Sequence, residues 1–478
     1  MSTTHRILDG PLARELARFG TPLALGMALQ TTFNLVDAYL VAQLPSAEVG
    51  PAIGALGICD QVAAIGTIMS YGVSTAAAAL VSQHKGAGDN AAIQKTAWQS
   101  LLIVCALSVV FGVLGVVGAG PLVRDVIGAK GDVAVVATRY LRVIVGGSFT
   151  IFFLLQLTTI QRALGSSKTP VLLLVAGNVL NVALAILLIY GPGPAPAPLS
   201  WGAPIARMLG IPRMGMLGAA WATIIARAFV LLPTAIVLFR RHGIVWPPRG
   251  ARGVDGREMR RLLTMAWPTS AQFLLRICAM LLVNSIVARA FTTEGDQTAT
   301  TAMGLVFRLD TMALFVAMGW GSAAQTFVGQ NVGAGHLRRA ARSGWIAAAY
   351  DALTNVGLIA AVFFAGEQIL RIFDDDPGPV GLALLYLQVV APSYLGLGVG
   401  VVLGNAMAGA GATRTTFLID VAVILGFQVP LCVLLVWAFG ASIHTLFRCV
   451  AATNVASCIL YAIVYARNGW QGSAVSRT

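Results

Sequence analysis

Two stretches decide the architecture of this chain: Gln83-His84-Lys85-Gly86-Ala87-Gly88 and Gln330-Asn331-Val332-Gly333-Ala334-Gly335. Each ends a long apolar run and opens onto another, and they start 247 residues apart. The interval recurs outward from them. Pro22 pairs with Pro268, Tyr140-Leu141 with Tyr386-Leu387, and Leu164-Gly165 with Ala410-Gly411, each 246 apart. Over residues 70–88 against 317–335, eight of nineteen positions are identical: Gly72, Ala76, Ala77, Val81, Gln83, Gly86, Ala87 and Gly88 in the first copy. A near-constant offset over so much of the chain marks two equivalent halves. In a membrane protein, paired halves point to a transporter with a pathway between them.

Composition demands a membrane. The 478 residues are 57% hydrophobic and 11% charged, with a mean hydropathy of +0.80, more apolar side chain than a soluble interior could hide. Twelve segments reach the roughly 20 residues that a bilayer crossing needs. They are 20–43, 50–82, 97–120, 136–161, 170–190, 215–239, 262–290, 298–329, 343–365, 380–409, 416–439 and 443–466. The predicted fold is all-α and polytopic: 12 transmembrane helices in two pseudo-symmetric six-helix bundles forming a parallel repeat. The lobes are expected at 1–239 and 262–478, joined by a basic linker at 240–261 that carries Pro247-Pro248.

The net charge of +13 does not point to nucleic acid, because of how it is distributed. With the N-terminus inside, 20 of the 32 Lys and Arg fall on the cytoplasmic side, seven of them in 240–261. That is the positive-inside bias of an insertion signal, and anionic lipid is a further partner for the linker. A multi-pass protein of a bacterial inner membrane is expected, monomeric, with both termini cytoplasmic. No cleavable signal peptide is expected, since residues 1–20 carry Asp9 and Glu15 and the first apolar run is too long. The six cysteines fall inside predicted spans without Cys-x-x-Cys spacing and read as packing residues.

An even number of spans per half puts both Gln-x-x-Gly-Ala-Gly loops on the cytoplasmic side. Their glycines suit a sharp turn at a helix end, with a gating role as the alternative. Residues 191–198 alternate Pro with Gly and Ala and predict a stiff, extended outer loop. Asp374-Asp375-Asp376 reads as a solvated charge run.

Asp37 is the first candidate for chemistry. An ionised carboxylate near mid-bilayer costs at least ~2.5 kcal/mol. Desolvation favours the neutral form, so such a residue holds a proton and releases it when water or a cation arrives. Gln30, Asn34 and Asp37 stand at i, i+4 and i+7, on one face of the first helix. Asn178 and Asn181, at i and i+3, make a matching polar stripe on the fifth. Either stripe alone could be helix–helix glue; with an acid among them, a cavity is expected. Asp60, Arg276 and Asp310 are further cavity candidates, with Met27 and Phe33 among Met and aromatic side chains suited to an adaptable pocket. Arg276 and Asp310 are expected to form an interior ion pair, and Asp351 and Asp420 to lie nearer the cytoplasmic ends. No Walker loop is present, no histidine pair has metal-ligand spacing, and no enzyme activity or cofactor is expected.

The doubled Gln-x-x-Gly-Ala-Gly loop resembles that of the multidrug and toxic compound extrusion (MATE) family. So do Asn34-Leu35-Val36-Asp37, Arg162-Ala163-Leu164-Gly165-Ser166-Ser167-Lys168-Thr169-Pro170, Gly177-Asn178-Val179-Leu180-Asn181 and Leu217-Gly218-Ala219-Ala220-Trp221-Ala222-Thr223. The resemblance implies a proton- or cation-coupled antiporter that exports amphipathic, often cationic organic molecules by rocking two bundles. It also implies that Asp37 binds the coupling ion, H+ or Na+, with Asn181 as partner. Two departures stand out. Where many relatives carry an aspartate four residues after the fifth-helix asparagine, this chain has Ala185. Where the sodium-coupled branch carries a glutamate eight residues after the seventh-helix proline, it has Arg276. A lipid-linked-glycan flippase of the same superfamily and a major-facilitator carrier are the alternatives, and a channel lacks its filter sequence.

Overall fold

In a computed structural model, which describes residues 3–241, 253–293 and 295–473, the chain is a bundle of long helices. We number the spanning helices α1 Leu12–Ala42, α2 Ser46–Ala87, α3 Asn90–Pro121, α4 Gly131–Ala163, α5 Lys168–Tyr190 and α6 Met216–Ile236 in the first lobe. The second lobe holds α7 Gly256–Ala290, α8 Thr298–Gly333, α9 Leu337–Arg371, α10 Pro377–Gly409, α11 Thr413–Ala438 and α12 Ile443–Ala466. Eleven of these are long and apolar enough to cross a membrane by length and hydropathy, and α1, 31 residues long, completes the twelve. The protein is thus a multi-pass membrane protein. Half of the predicted linker, 242–252, lies outside the described residues.

The repeat extends to its irregularities. Helix α4 is interrupted at Gly147, and α10 at Ala391–Ser393, the same point in each half. Proline accounts for other breaks: π-helical turns follow Pro121 and Pro233 and flank Pro430, where the ring removes a ladder hydrogen bond. Polar caps carry several helices beyond their apolar stretches. Asp89 accepts from the Ala92 amide at 2.9 Å and Asp255 from the Glu258 amide at 3.0 Å. Lys95 Nζ, 2.6 Å from Asp255, holds that surface carboxyl below the usual carboxylate range. The Pro-rich stretch predicted as extended, 191–198, opens with a turn, runs without helix over 194–196 and ends in a helical turn at Ala197–Leu199. Beyond it the loop forms a short helix, Gly202–Met208, with Ala206 on its buried face.

The two lobes share a core at one end only. There α1 and α8 interlock: Leu16, Phe19 and Leu23 bury against Trp320, Ala323 and Phe327, with Phe19 and Phe327 in edge contact at 5.6 Å. At the opposite end the buried clusters separate by lobe. One contains only residues of 36–222, the other only residues of 282–450. The molecule is a V, joined where the two Gln-x-x-Gly-Ala-Gly stretches lie and splayed at the other end.

Candidate functional site

At the joined end, both copies of the motif turn a helix and bind the opposite lobe. Gly88 and Gly335 adopt φ of +75° and +79°, a left-handed conformation that ends α2 and α8. In each copy the residue after that glycine donates back five positions, Asp89 to the His84 carbonyl and His336 to the Asn331 carbonyl. Gly86 lies on the Gln330 carbonyl and Gly333 on the Gln83 carbonyl, so that a Cβ at either would overlap backbone. The glutamines then cross. Gln83 Nε2 donates to the Gly409 carbonyl and Gln330 Nε2 to the Ala163 carbonyl, both at 2.8 Å. Gln325 adds a third bond, to the Thr75 carbonyl at 2.9 Å. The residues that make the turn also hold the two lobes together at this end.

Each lobe holds a cavity above this joint. The first, about 330 Å³, is lined by Asp37, Asp60, Thr67, Tyr140, Ser148 and Arg227, among others. Asp37 is half-buried on α1, and both its carboxylate oxygens accept from Asn181 Nδ2 on α5, at 2.8 and 2.9 Å. Asn181 is buried, and its Oδ1 has no hydrogen-bond partner among the described residues. A carboxamide can serve both forms of a carboxyl: its NH₂ faces the ionised form, and after a flip its oxygen accepts from the protonated form. Asp60 is exposed to the same cavity. Asp37 is in electrostatic reach of Arg227 but belongs to none of the ion pairs among the described residues. Asn178, Gln30 and Met27 are half-buried and do not line this cavity. The side chains of Asn34, Phe33 and Arg308 lie outside the described residues.

The second cavity, about 160 Å³, is lined by Arg276, Asn284, Asp310, Tyr386, Tyr394 and Asp420, among others. Here one expectation is corrected. Arg276 does not pair with Asp310: its Nε and Nη2 reach the two oxygens of Asp420, at 2.5 and 3.2 Å, and Tyr461 donates to the same carboxylate. Asp310 instead accepts from the hydroxyls of Tyr386 and Tyr394, at 2.7 and 2.5 Å, which occupy both its oxygens. Asp420 and Asp351 are both buried. Asp351 is fully buried on α9, takes a 3.0 Å bond from Asn355 and packs on Gly398 of α10. The cavities are related by the repeat, since Tyr140 and Tyr386, and Ser148 and Tyr394, are 246 residues apart. Sequence reasoning missed Arg227; a basic residue in the middle of an apolar span was the available signal.

When every charged group is ionised, each cavity carries two carboxylates and one guanidinium, hence one net negative charge facing a low-dielectric wall. Two parallel lobes, a joint at one end and acidic cavities within each lobe define a membrane transporter of the inverted-V, two-bundle class. Its family is MatE, to which the chain belongs: that family model matches residues 22–187 and again 268–434, starting at the paired prolines. Relatives include probable multidrug resistance proteins. YpnP of Bacillus subtilis is 26% identical over 84% of this chain and 84% of that protein. NorM of Thermotoga maritima is 23% identical over 90% and 86%. A FAD transporter of Shewanella oneidensis is 22% identical over 91% and 90%. A MOP superfamily transporter from Pyrococcus furiosus shares the fold with a TM-score of 0.86 at 20% identity, over 99% of both chains. A multidrug resistance MATE transporter in an outward-facing conformation shares it with a TM-score of 0.84 at 21% identity, over the full length of both chains.

Proposed function

We propose that the protein is a secondary antiporter that exports amphipathic, cationic organic compounds in exchange for protons, with Na+ as the alternative coupling ion, by rocking its two lobes about the central cleft. The observation that carries this reading is the setting of Asp37. It is a carboxylate inside a roomy cavity, held by one carboxamide and, among the described residues, by no arginine ion pair. An acid clamped by an arginine would have no reason to give up its charge; one held by an amide can exchange a proton at small cost.

The basic residues gathered at the joined end support a cytoplasmic location for that end, so this conformation opens outward. In it, Asp37 takes a proton, Asn181 turns its oxygen toward the new O–H, and the cavity loses the charge that held an organic cation. The cation leaves, the lobes rock, and the proton passes to the cytoplasm as the next substrate binds. The membrane potential supplies about 2.3 kcal/mol per charge per 100 mV. The oxygens of Asp37 and Asn181 are also hard ligands of the kind Na+ accepts. Multidrug resistance in the names of relatives supports an organic substrate; the bacterial inner membrane as its site of action belongs to the same proposal.

Asp37→Asn in proteoliposomes with an imposed pH gradient is the direct test. Ethidium flux is expected to fall at least tenfold at equal protein density. Undiminished flux would refute the role, and replacing the proton gradient with a sodium gradient names the ion.

A further inference from the structure

Among the described residues, Arg162 is a buried cation that neither cavity uses. It ends α4 at the joint, with 8% of its surface exposed, and its Nε has no hydrogen-bond partner among the described residues. Its terminal nitrogens reach only hydroxyls, Thr159 Oγ1 at 2.6 Å and, across the lobe boundary, Ser322 Oγ at 3.4 Å. No carboxylate pairs with it among the described residues. A guanidinium has five N–H donors, and burying one without a counter-charge costs several kcal/mol. Arg276, by contrast, is matched by Asp420.

The direction of the side chain indicates its use. The Arg162 carbonyl lies level with Thr326, which donates to it across the joint at 3.4 Å. The guanidinium reaches Ser322, one turn back along α8 from Thr326, and Thr159, one turn back along α4. It therefore points away from the motif end and into the cleft. Beyond it lies a small interlobe cavity of about 40 Å³ lined by Tyr71, Thr75, Gln272, Arg276 and Asn405. Tyr71 is within electrostatic reach of both Arg162 and Arg276. When the lobes part at the motif end, Ser322 and Thr326 move off with the second lobe. Arg162 keeps only Thr159 and stands at the head of the opened vestibule with four or more free donors.

We propose that Arg162 is an anion-binding position: in the conformation open at the motif end, its guanidinium receives a carboxylate, sulfonate or phosphate group of the transported molecule. A planar guanidinium fits such groups bidentately. The substrate class thereby extends to zwitterionic and anionic amphiphiles, with an acidic cavity in each lobe for any cationic part and Arg162 for the anionic one. Parting of the lobes is taken from the function proposed above.

The test uses the full-length protein in proteoliposomes with two probes, ethidium and carboxyfluorescein, each measured as flux under a pH gradient. Wild type is expected to move both dyes. Arg162→Gln is expected to lower the ratio of carboxyfluorescein to ethidium flux at least tenfold. Arg162→Lys, which keeps the charge but loses the fork, is expected to raise the KM for carboxyfluorescein several-fold with kcat little changed. A merely structural role would lower both fluxes together and leave the ratio and the KM where they were; that result overturns the proposal. So does a wild-type protein that moves ethidium but not carboxyfluorescein, whereas a protein that moves neither counts against the exporter reading itself.

Discussion

Arg276 and Asp420 illustrate how much one buried charge depends on its partner. The Asp420 side chain is 3% exposed and receives a two-point guanidinium contact, a tyrosine hydroxyl from Tyr461 and an amide from Gln272. Arg276→Gln leaves that carboxylate buried without its counter-charge, at a cost of about 3–5 kcal/mol. The variant is expected to melt well below wild type in detergent. Arg276→Gln with Asp420→Asn is expected to recover much of the loss, because the orphaned charge is gone; equal melting of the single and double variants would show that the pair is not coupled. Helical spacing put Asp37 and Asn181 in separate polar stripes, and the family resemblance implied that they pair. The sequence could not assign Arg276, because the choice between Asp310 and Asp420 is made by tyrosines from α10 and α12 that meet these acids only in the folded lobe.

At the scale of elements, the joint is built from two helix ends that exchange the same contacts. Each glutamine bond is worth about 1 kcal/mol net, and each glycine contact permits backbone approach that no other residue allows. Gln83→Ala and Gln330→Ala are each expected to favour the motif-open state about fivefold, read as faster amide hydrogen exchange in residues 80–88 and 327–335. Gly86→Ala and Gly333→Ala are expected to act more strongly, because a methyl group there meets backbone that has no rotamer to escape into. If exchange at these helix ends were unchanged in all four variants, the motif would be a turn and nothing more. The repeat itself was fully legible, since a 246-residue interval survives in Pro22 and Pro268, in Tyr140 and Tyr386, and in the two motifs. Helix lengths were not. The apolar run of α2 suggested 50–82, but the helix covers Ser46–Ala87, because polar residues at its ends continue the backbone ladder outside the lipid. The short helix Gly202–Met208 follows the proline run and, at seven residues, is too short to show as a span.

For the whole molecule, the question is how far one exchanged proton can move the lobes. Taking a two-state equilibrium from 1:99 to 99:1 requires about 5.5 kcal/mol of differential binding. A difference of one pKa unit at Asp37 between the two conformations supplies about 1.4 kcal/mol, a tenfold shift. Proton binding alone therefore biases the rocking without completing it, and the cation that competes for the same cavity supplies the rest. Two spin-label pairs make this measurable in a background where the exposed Cys105 and Cys278 are replaced by alanine. One pair spans the splayed end, at Val126 and Ile372, both about three-quarters exposed. The other spans the joined end, at Asn90 and Arg338, both exposed beside the two motifs. Electron–electron distance distributions are expected to change in opposite senses at the two ends. Lowering the pH is expected to redistribute populations by about tenfold, not to convert them entirely. Asp37→Asn, fixed in a neutral form, is expected to abolish the pH response while leaving the response to ethidium weakened but present. If both ends opened together the lobes would be loosening and not rocking, and if the asparagine variant kept its pH response, some other acid, such as Asp60 or Asp310, would have to carry the coupling.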